Sequence, residues 1–405
     1  MTSDTLLQFR REFPILERTT YLVSNSLGAM PRSVADRLAA YADDWAELGV
    51  RAWSKGAAGA AEGWWEMPVR VGDEIAPLIG ARAGEVVMIP NVTLAQATVL
   101  SALDYPASRN RIVMTALDFP SVSYVYTSLA TRLGANVSVV PAGADGISVD
   151  MQQLLDAIDE RTRLVAISHV LFRSAYIVDV EAVCKKAHDV GALVSLDAFH
   201  AVGVIPVDVH AIGCDFLTGG VLKWLCGGPG GCFLYVAPAV RNRFAPALTG
   251  WQAHARPFAF EPEMDFATDA FRWLGGTPVI PALYAAVEGP RILRRAGVVA
   301  IREKSVRQTS RLIQLADKRG YTVHAPREAA RRGGTVAVDV PHAYEVSQYL
   351  LARNVLVDFR PGAGIRIAPH FYTSDEELEE AMSAIDEALA TGGWREFERQ
   401  RPVVT

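Results

Sequence analysis

The chain has 405 residues, half of them hydrophobic and 21% charged, with a formal net charge of −5. That length holds two or three domains, and that composition argues against a disordered chain. A small negative charge without a basic block argues against a nucleic-acid or anionic-membrane surface as the main partner.

The opening, MTSDTLLQFRREFPIL, lacks the basic-then-apolar order of a signal peptide. No apolar run is long enough to cross a bilayer. A stretch rich in Trp and Ala leads to a helix and a strand near 72–89. Strands are then expected at 110–117, 136–142, 163–169, 192–197, 214–220 and 231–236. The helices between them include 122–133, 149–158 and one carrying Val180, Val183, Ala187 and Val190. Such alternation predicts an α/β fold, a mostly parallel sheet with helices on both faces. After Pro290 the pattern becomes α+β: an Arg-rich helix over about 290–319, strands at 335–340, 355–360 and 365–369, and a last helix, DEELEEAMSAIDEAL. Four cysteines, Cys184, Cys214, Cys226 and Cys232, show no metal-binding spacing and read as reduced thiols of a cytoplasmic protein.

Ligand sites of such a sheet lie at the carboxyl ends of its strands. Asp197 ends VSLD, with His200 just beyond it, and Lys223 follows FLTGG in GGVLKWLCGGPGG. A buried lysine is costly unless paired or used chemically. Lysine and aspartate at neighbouring strand ends suggest pyridoxal phosphate. Its aldehyde takes a lysine amine, and its ring nitrogen needs a carboxylate to stay protonated. The alternative is a buried ion pair. Phe119 in LDFPS is placed to stack on a flat ring, or to pack in the core. Asn91-Val92-Thr93 opens a helix, a phosphate site or an ordinary N-cap. GGTP (275–278) is a second small-residue turn. Arg366 in GIRIAP is a candidate for a bidentate grip on a carboxylate.

Several segments in order carry a resemblance: SNSLGAMP (24–31), WWEMPVRVGDEIAPLIGA (64–81), DFPS (118–121), SLDAFHAVGVIPVD (195–208), LKWLCGGPGG (222–231), GWQAH (250–254), WLGGTP (273–278) and FRPGAGIRIAPHFY (359–372). Over nearly its whole length the sequence resembles class V, fold-type I pyridoxal phosphate enzymes, kynureninases above all. The resemblance implies a seven-stranded large domain (46–288), a small C-terminal domain (289–405) and an arm (1–45) packing on the small domain. It implies that Lys223 links the cofactor, Asp197 pairs with its ring nitrogen with His200 close by, and Phe119 stacks on the ring. Val92 and Thr93 would contact phosphate, as would Trp251 and Thr277 from the other subunit of a homodimer. Arg366, with Asn25 and Ser26, would hold the substrate. Two positions depart from the family pattern: Leu222 stands where a tyrosine is usual, and Val122 where an aspartate is.

The expected activity is hydrolytic Cβ–Cγ cleavage of an L-amino acid, or a related lyase reaction. An aminotransferase, an epimerase or a β-eliminating lyase of the same class is the alternative, and a non-catalytic binding protein on this fold a remote one. All four cysteines precede residue 233, which argues against a desulfurase with a catalytic cysteine in the small domain.

Overall fold

The computed structural model describes residues 4–55 and 63–398. The ends of the expected arm and small domain, and residues 56–62 of the Trp- and Ala-rich stretch, lie outside them.

After β1 (Thr20–Tyr21), seven strands form the central sheet: β2 (Val86–Ile89), β3 (Arg111–Thr115), β4 (Asn136–Val140), β5 (Thr162–Ser168), β6 (Leu193–Asp197), β7 (Phe216–Gly220) and β8 (Cys232–Val236). Their spatial order is β2-β8-β7-β6-β5-β3-β4. β8 runs antiparallel to both its neighbours, and the remaining pairs are parallel. This is the mostly parallel α/β sheet that the alternation predicts. Every residue of β6, β7 and β8 is buried, because helices cover both faces. One core includes the helices Met67–Ile75 and Val180–Asp189. The other includes Val92–Ser101 and Pro120–Leu133.

The C-terminal unit contains β9 (Thr322–Val323), β10 (Val336–Asp339), β11 (Val355–Leu356), β12 (Asp358–Arg360) and β13 (Gly364–Ile367). An antiparallel sheet, β12-β13-β10-β9, shares a core with the helices Val298–Lys318, Ala343–Leu351 and Asp375–Thr391. The last of these starts from a capping box between Ser374 and Glu377, which satisfies its first free N–H groups.

Two elements differ from the sequence reading. The single helix expected over 290–319 is two, Glu288–Ala296 and Val298–Lys318, divided at Gly297, whose φ is +83°. Glycine takes that conformation without a Cβ clash, so it ends the first helix although the apolar spacing runs on. The stretch 355–360 is two strands: β11 pairs with β1, and β12 joins the four-stranded sheet.

The first residues lie on the C-terminal unit. Arg10 donates to the Tyr372 carbonyl at 2.8 Å and to Glu377 at 2.7 Å. The buried Lys304 holds the Phe371 carbonyl and Asp4, each at 2.8 Å. From there β1 leads into the turn that carries Asn25. All four cysteines are free and buried. Among the described residues no helix is long and apolar enough to cross a membrane.

Candidate active site

Parallel strands bring their carboxyl ends to one edge, where β3, β5, β6 and β7 deliver the chemistry-bearing side chains. A cavity of about 250 Å³ opens there, lined by Lys223, Asp197, His200, Phe119, Val92 and Leu222 among others. Lys223 Nζ lies 2.7 Å from His200 Nε2, between the rings of Phe119 and Phe199 at 5.4 and 5.5 Å from their centroids. Burial, helped by the Arg366 charge, holds the lysine well below its ordinary pKa. Burial and the nearby Lys223 hold His200 down as well. The contact therefore joins two nitrogens that both resist a second charge. Asp197 accepts the Phe199 N–H at 3.0 Å through Oδ1, and burial raises its pKa against that bond and the Lys223 charge.

Two glycines make the arrangement possible. A Cβ on Gly220 would lie 2.2 Å from the Phe199 ring, which rests on the end of β7. A Cβ on Gly28 would lie 2.1 Å from the Lys223 carbonyl oxygen. Gly28 N–H donates to the Leu222 carbonyl at 2.8 Å, so the turn of residues 24–28 is seated on the lysine loop. Asn25 in that turn is fully buried, and neither polar atom of its carboxamide has a partner among the described residues. A buried carboxamide left this way costs free energy until a ligand meets it. Ser26 is half-buried beside it.

These residues fit pyridoxal phosphate. Lys223 offers an amine whose pKa burial lowers to about 7, and the second carboxylate oxygen of Asp197 takes no hydrogen bond from the described residues. Phe119 presents a flat face. The first turn of the helix Val92–Ser101 leaves N–H groups for an anion, since Asn91 caps only Leu94. Thr93 is exposed on that turn and does not line the cavity. The lowered lysine pKa has a measurable consequence. The unprotonated amine is the nucleophile, so its trapping by an aldehyde and borohydride rises with pH and levels off well below the value near 10.4 of a free lysine. A profile still climbing at that pH would show an ordinary, solvated lysine.

Arg366 is buried and engaged. Its guanidinium forms a two-point pair with Asp358, Nε to Oδ1 at 2.8 Å and the second contact through Oδ2. It also donates to the Phe172 carbonyl at 2.5 Å. Asp358 and Arg360 share one face of β12, 3.2 Å apart. The bidentate grip expected for a ligand is thus made with Asp358, and Arg366 does not line the Lys223 cavity. Within one chain Trp251 and Thr277 lie away from the Lys223 cavity. Trp251 packs on Trp65 and is 40% exposed. Thr277 lines a neighbouring cavity of about 230 Å³ that shares Pro90 with the first. Val122 is buried in the core and adds no polar group.

Sequence reasoning missed Asp358, Asp118, Phe199 and Phe172. A charge in the middle of the apolar run VLVDF was the available sign for Asp358, because a carboxylate is almost never fully buried unless it is paired. Phe172 meets Phe119 edge to face at 5.2 Å, a contact between distant segments with no local signature.

Over residues 20–368 the chain matches the aminotransferase class-V family. It is 32% identical to a kynureninase of Pseudomonas fluorescens, an alignment that covers 98% of this chain and 95% of that protein. Among solved structures, the apo cysteine desulfurase of Thermococcus onnurineus NA1 superposes with a TM-score of 0.82 at 24% identity, over 95% of this chain and 98% of the other. C-DES, solved with glycine covalently linked to its PLP cofactor, gives 0.82 at 19%, over 93% and 98%.

Proposed function

This chain belongs to the aminotransferase class-V family and to the kynureninases within it, and we propose on that footing that it is a pyridoxal phosphate enzyme cleaving the Cβ–Cγ bond of an L-amino acid with water. The observation that carries the reading is the placement of Lys223 and Asp197 on one cavity, at the carboxyl ends of adjacent strands. When bound, pyridoxal phosphate draws electrons away from the α-carbon of the substrate. The protein supplies the rest. Lys223 Nζ accepts the α-proton, and His200 Nε2, 2.7 Å away, holds that amine in place and shares its proton. Asp197 keeps a proton on the ring nitrogen. Arg366, Asn25 and Ser26 receive the substrate, its carboxylate meeting the N–H groups that Asp358 and Phe172 leave over. Phe119, Phe172 and Leu222 keep bulk water from the reacting atoms.

The active unit is a homodimer with Trp251 and Thr277 contributed across the interface. Leu94 and Leu248, each at least 40% exposed, line the Thr277 cavity and support that reading, since exposed apolar clusters mark contact surfaces. Four unpaired thiols support a cytoplasmic location.

The decisive experiment is an absorbance spectrum of the purified protein, followed by a panel of L-amino acids that includes kynurenine and 3-hydroxykynurenine, with product analysis. The expected result is a visible band, with anthranilate and alanine formed from kynurenine. A band that responds to other amino acids without cleaving kynurenine would move the enzyme to a transaminase or another lyase. No band after addition of pyridoxal phosphate would refute the reading.

A further inference from the structure

A second carboxylate stands behind Asp197. Asp118, after β3, is 4% exposed. Its Oδ2 accepts the Thr115 N–H at 2.8 Å and its Oδ1 the Ser168 N–H at 2.7 Å. The hydroxyls of Thr115 and Ser168 lower its pKa as well, against burial. Each oxygen thus accepts a backbone N–H, which favours the ionised form, while burial, the larger influence, holds the pKa above the ordinary carboxylate value. Ser168 pairs in register with Asp197 across β5 and β6, and the next N–H, of His169, binds the Asp197 carbonyl at 2.9 Å. The residue after Asp118 is Phe119, whose ring lies beneath Lys223 Nζ.

We propose that Asp118 is a positioning residue of the site: a fixed negative charge that orients Phe119 and keeps the proton on the ring nitrogen paired with Asp197. The proposal rests on the cofactor reading above. The ionisable groups around Asp197 are Lys223 after β7, Cys232 on β8, Tyr126 on the helix Pro120–Leu133, His169 after β5 and His200 after β6; Arg366, Arg360 and Asp358 face Lys223 from the small sheet. Beyond burial, its main cause, Asp118 adds to the upward shift of Asp197. A negative neighbour strengthens the hold of the Asp197–ring pair on its proton in the same sense.

The test uses enzyme loaded with cofactor labelled at the ring nitrogen, followed by ¹⁵N NMR against pH. Wild type is expected to keep the nitrogen protonated. In Asp118→Asn and Asp118→Ser it is expected to lose the proton at least about one pH unit earlier. Equal protonation in wild type and variant, even with weaker cofactor binding, would reduce Asp118 to a strand clamp and overturn the proposal. Should neither variant fold, the ¹³C carboxyl signal of Asp118 in the wild-type protein decides: ionised at neutral pH as expected, or protonated and the proposal wrong. A wild type that takes up no cofactor while Asp118 is ionised would sink the cofactor reading instead.

Discussion

Replacing Lys223 with alanine is expected to abolish the visible absorption of cofactor-loaded protein and to cut turnover by roughly 10⁴-fold or more, the upper end for one acid–base group. No neighbour can take over, because the residues lining the cavity include no other lysine. His200 contacts Nζ directly but cannot form the covalent link. Fold integrity is checked by the thermal transition, which should hold or rise, since a buried amine that resists its charge is a weak stabiliser. A retained band in the alanine variant would mean that Lys223 is not the linking residue.

The second large effect concerns Asp358 and Arg366. Removing one member of a buried, hydrogen-bonded ion pair leaves the other charge uncompensated and costs about 3–5 kcal/mol. Asp358→Ala is therefore expected to lower the urea midpoint sharply, and Arg366→Ala to do the same. The double change to Asp358→Leu and Arg366→Met, an apolar pair, is expected to recover most of that stability while losing amino-acid binding and retaining the cofactor band. Equal loss of cofactor and amino acid in the stable double variant would show that Arg366 serves the fold alone.

The site was legible in the sequence where its parts are local. Asp197 ends one short buried strand and Lys223 follows the next, and the topology of parallel strands brings such ends together without further information. The Arg366–Asp358 pair was not legible, because it forms across the β12–β13 hairpin and alternation alone does not say which residues face each other. Asp118 escaped for a similar reason: half of its donors come from Ser168, on a strand that enters the sheet much later in the chain. The break at Gly297 was hidden by apolar spacing that continues across it. The roles proposed for Trp251 and Thr277 depend on a second copy, which no single sequence encodes locally.

The pairing of β1 with β11, and of Arg10 with the Tyr372 carbonyl 362 residues away, bears on the order of events during synthesis. The turn with Asn25 emerges from the ribosome among the first residues, the Leu222 carbonyl that seats it much later, and the strand that pairs with β1 near the last. Lys223 and Asp197 can meet in a nascent large domain, but Arg366, proposed to hold the substrate, is made only near the end of the chain. Contacts of such long range make this closing step slow. On the roles proposed above, a chain lacking the last strand or helix is expected to capture cofactor without turning over amino acid.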